Sequence, residues 1–191
     1  MAANDLFEDK KFENIDFAKG SFEKGEYEYC TFTGCDFSGA DLSDVTFLEC
    51  QFINCNLSLA KIVNTAFRDV MFEGCKMLGL NFENCNSFGL SLSFRNCTLD
   101  HATFFRMKLK KVSFRSCRLH EVDFTECDLT ASVFDDCDMY RAIFQNTIVE
   151  KADFTSSYNY LIDPEQNRIK KAKFSLPAVT GLLSKYDIVI K

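Results

Sequence analysis

Tryptophan is absent from the 191 residues, and proline and histidine each occur only twice. No apolar run approaches the roughly 18 residues that a membrane-spanning helix needs, which excludes that class. The opening stretch from Met1 to Lys11 carries acids where a secretory signal would carry bases followed by an apolar core, so a cytoplasmic protein is the expectation. Basic charge is also short. Twenty-two Lys and Arg stand against 28 Asp and Glu, a net charge of −6. That balance disfavours a nucleic-acid binder held by bulk positive charge, and no direct nucleic-acid contact is expected. There is no Gly-rich phosphate loop, no His-Glu-x-x-His motif and no nucleophile elbow. His101 and His120 fall at outward positions of one face, one coil apart and near Glu121, and read as solvated surface. Neither an enzyme nor a cofactor is expected.

What is present is a repeat. Hydrophobic residues make up 47% of the chain, which excludes intrinsic disorder, and 21 of them are phenylalanines. From Phe7 to Phe82 a large apolar residue recurs every five residues, and a second such run goes from Phe94 to Phe154. The runs differ in phase by two residues, so the stretch 85–91 holds one pentad plus two extra residues. Only Phe88 and Phe105 lie off the register. Two residues before the large centres lies a second restricted slot, filled by Cys, Ala, Val, Thr or Ser and also by Leu92 and Met107, and all ten cysteines occupy it.

A period of five with two inward positions matches neither the helical 3.6 nor the strand 2.0. It requires a chain that turns a corner every five residues, a solenoid with both positions pointing to the axis. In the second run Phe alternates with Leu, Met or Val, and cysteine pairs such as Cys97–Cys117 recur at twenty residues. Four pentads per coil satisfy both patterns. The cysteines then read as buried, reduced packing groups, because stacked parallel thiols cannot converge on a tetrahedral metal.

The segments CDFSGADLSDVTF, CRLHEVDFTECDL and ADFTSS resemble the signature of the pentapeptide-repeat family, over about residues 5–156. The resemblance implies an all-β solenoid, a right-handed quadrilateral β-helix with four pentads per coil. At ~4.8 Å per coil the rod would be roughly 35–40 Å long. The expected organisation is a solenoid over 1–174, interrupted by the slip at 85–91 and an excursion at 157–171, then a distinct element over 175–191. In that element Ser175 reads as an N-cap and Pro177 as an early helical residue. Leu176, Val179, Leu182, Leu183 and Tyr186 make an apolar stripe at helical spacing, and Asp187–Ile190 alternates like a short strand. A solenoid end needs a cap, and an intramolecular cap is one reading. Similarity to the fluoroquinolone-resistance members of the family, the Qnr and MfpA group, implies instead a homodimer through Leu176, Val179, Leu182, Leu183, Tyr186, Ile188 and Ile190.

Charge is divided unevenly along the chain. Residues 1–90 carry 7 basic and 15 acidic side chains, whereas residues 91–191 carry 15 and 13. The twenty-residue recurrence gathers Glu8, Asp9, Glu26, Glu28, Glu49 and Asp69 on one face, with Glu23, Asp41, Asp44 and Glu83 on the next. Such a column can present a phosphate-like field to a basic groove, or can serve solubility alone. The family resemblance implies a non-enzymatic DNA mimic that engages a type II topoisomerase, DNA gyrase or topoisomerase IV. The alternative is a scaffold for an unrelated protein partner. Lys108, Lys110, Lys111, Arg115, Arg118 and Arg95 form a basic group expected to face the other way, and Phe105 is the expected contact anchor.

Overall fold

A computed structural model describes residues 5–189. The chain winds as a parallel β-solenoid whose four sides are each formed by one pentad per coil. On the first side the strands Asp5–Glu8, Gly25–Glu28, Thr46–Leu48 and Ala66–Arg68 stack in parallel. On the second side seven strands stack, from Lys11–Glu13 to Val133–Asp135. The third and fourth sides are held by single bridges such as Asp36↔Asn56 and Asp41↔Lys61.

The corners explain why a pentad suffices. At most corners the residue two after the centre lies in the left-handed region, as at Asp9 (φ 53°), Glu49 (φ 52°) and Lys111 (φ 63°). Its amide donates to a carbonyl one coil further on, for example Asp9 N to Glu28 O at 3.0 Å. Most corners tolerate an L-residue. At Gly34 and Gly74 a Cβ would run into the side-chain oxygen of the asparagine one coil below, Asn14 or Asn54, so a larger residue there requires that side chain to move.

The pentad centres fill the axis. On the second side Phe12, Phe32, Phe52, Phe72, Phe94, Phe114, Phe134, Phe154 and Phe174 form one continuous stack with centroids 4.7–5.5 Å apart. Neighbouring sides meet this column edge-to-face, as Phe47 meets Phe52 at 5.2 Å. Both geometries suit the aromatic quadrupole.

All ten cysteines are free thiols and buried. Their role is more than packing. Cys50 Sγ donates to Tyr27 O at 3.2 Å, and Cys55, Cys75 and Cys127 repeat this bond 23 residues back along the chain. Where the slot holds an oxygen or amide, the same carbonyl position is met: Thr65 Oγ1 to Leu42 O, Ser132 Oγ to Leu109 O and Asn167 Nδ2 to Phe144 O. Where the slot holds a donor, it reaches a carbonyl one coil below, while Ala and Val fill the same slot by packing alone. Burial pushes the thiols of Cys50, Cys85 and Cys127 up to about 12.

The phase slip lies where the two runs part. Ala66 pairs with Asn86 twenty residues on, yet Val70 pairs with Leu92, twenty-two residues on. The two extra residues leave the first side as a small loop that exposes Ser87, Phe88 and Gly89.

The C-terminal segment corrects the sequence reading. No α-helix forms after Ser175; Val179–Leu182 and Ser184–Tyr186 are single 3₁₀ turns, with no side-chain cap. Asp187–Val189 is not a strand, and Ile190 lies outside the described residues. The reason is the docking of Gly181. Ile162 N donates to Gly181 O at 3.1 Å, and a Cβ on Gly181 would strike Tyr160 O. The segment is thus folded flat onto the last coil instead of presenting a helical stripe. Among the described residues no helix is long and apolar enough to cross a membrane.

Candidate interaction face

The solenoid register places the ten acidic residues as two adjoining columns. Glu8 and Asp9, Glu26 and Glu28, Glu49, and Asp69 follow the centres Phe7, Tyr27, Phe47 and Phe67 up the first side. Glu23, Asp41, Asp44 and Glu83 line the fourth side, which joins the first at a corner. All are at least partly exposed. Of these ten, only Asp41 has an ion-pair partner among the described residues, Lys24 at 3.1 Å; hydrogen bonds from Ser43 and from Lys24 hold its carboxyl down at about 2. Asp44 accepts from Asn64 Nδ2 at 2.9 Å. The Glu49 carboxylate raises the exposed phenol of Tyr29 above its ordinary range, with Glu28, Glu8 and Asp9 adding to the effect. On these two sides ten carboxylates stand against the three bases Lys24, Lys61 and Arg68.

The second half is arranged differently. Its charges pair between coils: Arg106 with Glu126 at 2.7 Å, Arg118 with Asp100 at 2.6 Å and Arg168 with Glu150 at 2.7 Å. His120 Nε2 lies 2.8 Å from Asp138 and His101 Nδ1 lies 3.5 Å from Glu121, so each imidazole is tied to its own carboxylate. No cluster of three or more His, Cys, Asp or Glu side chains among the described residues converges as a metal site.

The basic group does not face away from the acidic column. Lys108, Lys110 and Lys111 surround the centre Leu109 on the first side, in line with the acids, as the bridges Lys108↔Asp128, Asp128↔Ile148 and Ile148↔Arg168 show. Arg95 and Arg115 lie on the second side and Arg118 on the third. Residues 108–118 span three pentads, so a group compact in sequence must wrap round two corners.

Phe105 is only half-exposed, with the Arg106 guanidinium 4.6 Å from its ring centroid. The most exposed aromatic among the described residues is Phe88, 78% accessible, which lies off the five-residue register. Arg68 lies beneath it, 5.8 Å from the ring centroid.

The expected dimerisation residues divide. Leu182 packs against the core, and Val179 and Leu183 are half-buried. Tyr186 donates to Glu165 at 2.8 Å, while Lys185 bridges Asp163 and Glu165 at 2.8 and 2.6 Å. Leu176 and Ile188 remain exposed, at 88% and 57%. The segment folds back onto the last coil and leaves Leu176 and Ile188 uncovered.

Comparison with known proteins follows this geometry. A family model described as a pentapeptide repeat region matches residues 25–104 and 81–154. The chain belongs to the pentapeptide-repeat family. Two trypsin-treated variants of QnrB1, a plasmid-mediated fluoroquinolone resistance protein, match at 20% and 21% identity with TM-scores of 0.63 and 0.64. Each alignment covers 97% of both chains. HetL, a pentapeptide-repeat protein involved in heterocyst differentiation regulation from Nostoc sp. strain PCC 7120, matches at 16% identity and a TM-score of 0.60. That alignment covers 92% of this chain and 86% of HetL. At these identities the likeness establishes the fold. Among curated proteins no relative matches the sequence.

Proposed function

We propose that this protein is a non-enzymatic binding rod whose acidic N-terminal half occupies a basic, DNA-binding surface of a type II topoisomerase, DNA gyrase or topoisomerase IV. The observation that carries the reading is the density of uncompensated charge. On the first and fourth sides of the first four coils, ten carboxylates against Lys24, Lys61 and Arg68 leave seven net negative charges. Four coils at ~4.8 Å each occupy about 19 Å, roughly one net charge per 2.7 Å, against ~1.7 Å for duplex DNA, so the rod carries over half the linear charge of the duplex. A groove built to hold phosphates would meet a linear field of the same sign on a rigid support. Likeness to QnrB1 in fold supports the choice of topoisomerase. In this reading Leu176 and Ile188 join two rods end to end, and the protein acts in the cytoplasm.

The test is a supercoiling assay with and without a fluoroquinolone. The protein should inhibit gyrase or protect it, more strongly at low salt, because exposed charges are screened beyond a Debye length of ~8–10 Å at 0.1–0.15 M salt. Replacing Glu26, Glu28, Glu49 and Asp69 with Lys should abolish the effect without unfolding the rod, since exposed charges contribute little to stability. Absence of any effect at tens of micromolar defeats the topoisomerase reading. The second reading, a scaffold for a different partner, draws on the comparable likeness to HetL, whose described role is in differentiation.

A further inference from the structure

The first side of the rod carries a pattern that partner binding by its acidic half alone does not use. Pentads stack on this side at nine levels, and the slip loop with Phe88 is the fifth, leaving four levels on either flank. Outward side chains below the loop comprise six carboxylates and Arg68, a net charge of −5. Above it stand Lys108, Lys110, Lys111, Lys151, Arg168, Lys170 and Lys171 with Asp128 and Glu150, a net charge of +5. The two halves are equal in length and opposite in charge. At their midpoint an exposed phenylalanine adjoins a groove of about 250 Å³ lined by Leu90, Leu92, Leu109, Lys110, Lys111 and Val112.

We propose that this side is a self-complementary surface that pairs with a second copy of the chain, antiparallel and face to face, about a two-fold axis at Phe88. An isologous contact requires that each half of a surface complement the other half, and this surface does so in summed charge, with the strongest match at the outermost levels and the levels flanking the loop, while Glu49 faces Asp128 in between. Rotation by 180° about the loop brings Glu8 and Asp9 of one copy to Lys170 and Lys171 of the other. It also brings Asp69, beside Arg68, to Lys108, Lys110 and Lys111. The two Phe88 rings meet at the axis, each over the groove of the opposite copy. Phe88 supplies the apolar anchor that charge pairs at a rim cannot. Nine levels by one pentad give a face of roughly 38 by 13 Å, about 1,000 Å² buried in total, which belongs to the weak, reversible class of interfaces. The pairing covers the acidic column, so self-association and partner binding are alternative states of one face. It does not rest on the topoisomerase reading.

The experiment uses purified chain with no enzyme present, so its failure and that of the topoisomerase reading are separate. A benzophenone analogue of phenylalanine replaces Phe88, and the sample is photolysed. A covalent dimer is expected, with adducts on residues 86–92 or 109–112 of the second copy. Its yield should fall about tenfold between roughly 50 and 500 mM salt as the charges are screened. Two charge-reversed chains complete the test, Glu8→Lys, Glu26→Lys, Glu49→Lys, Asp69→Lys in one and Lys108→Glu, Lys111→Glu, Lys151→Glu, Lys170→Glu in the other, both checked for the parent circular dichroism. Each alone should lose the cross-link, and an equimolar mixture should recover it, because antiparallel pairing then sets a positive face against a negative one. No covalent dimer, a salt-independent yield, adducts on the C-terminal segment, or a mixture that fails to recover would overturn the proposal.

Discussion

Replacing Cys50 distinguishes a packing role from a donor role by the sign of one comparison. The side chain is fully buried, and its sulfur lies 3.2 Å from Tyr27 O and 3.5 Å from Leu48 O. Alanine removes the sulfur, which costs about 0.8 kcal/mol for an apolar group of methylene size. It also removes the donor, which costs about 0.5–1.5 kcal/mol for a hydrogen bond. The sum for Cys50→Ala is about 2 kcal/mol. Serine loses the same apolar volume but keeps a donor, and the slot accepts it at Ser132, where Oγ reaches Leu109 O at 3.0 Å. Cys50→Ser should therefore cost about 1 kcal/mol, less than alanine. If the slot were apolar packing alone, the order would reverse, because a buried hydroxyl without a useful partner costs about 1–3 kcal/mol. Urea unfolding of the two variants with unchanged m-values gives the answer. Serine proving the more destabilising refutes the donor role.

Two further outcomes follow from the same geometry. Burial raises the thiols of Cys50, Cys85 and Cys127 to about 12, whereas unfolded thiols ionise near 8.5. Their stabilising contribution is complete below the unfolded value and is lost as pH rises from there toward the folded one, so denaturant midpoints should decline steadily above about pH 9. A flat profile to pH 11 would contradict that burial. Gly181→Ala should detach the C-terminal cap, because its Cβ would collide with Tyr160 O; overpacking of this kind costs about 1–3 kcal/mol. Hydrogen exchange should then accelerate at the Ile162 amide, which donates to Gly181 O, while the amide of Phe52 in the middle of the rod keeps its protection. Equal acceleration at both sites would show that the segment is not a local cap.

The architecture was legible because each coil repeats one constraint. Large centres and small slots at a spacing of five oblige the chain to turn, and the two-residue offset between runs locates the loop that holds Phe88. The donor role of the cysteines was harder to see. Its partner carbonyl lies 23 residues away, and the available clue was the presence of Thr65, Ser132, Thr147, Ser157 and Asn167 in the same slot. The C-terminal helix failed for a tertiary reason. Its apolar spacing is helical, but close contact between Gly181 and Tyr160, with Lys185 tethered to Asp163 and Glu165, draws the segment flat. The acidic column was found residue by residue. That the basic group continues along the same side was missed, since it depends on how three consecutive pentads turn round the corners.

This last feature bears on whether the acidic column is incidental to the repeat. Outward positions one coil apart lie close enough for opposite charges to pair, and the second half uses this freely, as in Arg106–Glu126, Arg118–Asp100 and Lys173–Asp153. The repeat therefore does not oblige its surface to be unpaired. In the first half the same positions stack like charges, Glu8 under Glu28 and Glu49 under Asp69, an arrangement that is mildly destabilising in itself. Solubility is equally served by mixed charge. Stacked carboxylates that stabilise nothing within the rod, beside a basic stretch of matching length, are better explained by a surface that meets its counter-charge on another molecule.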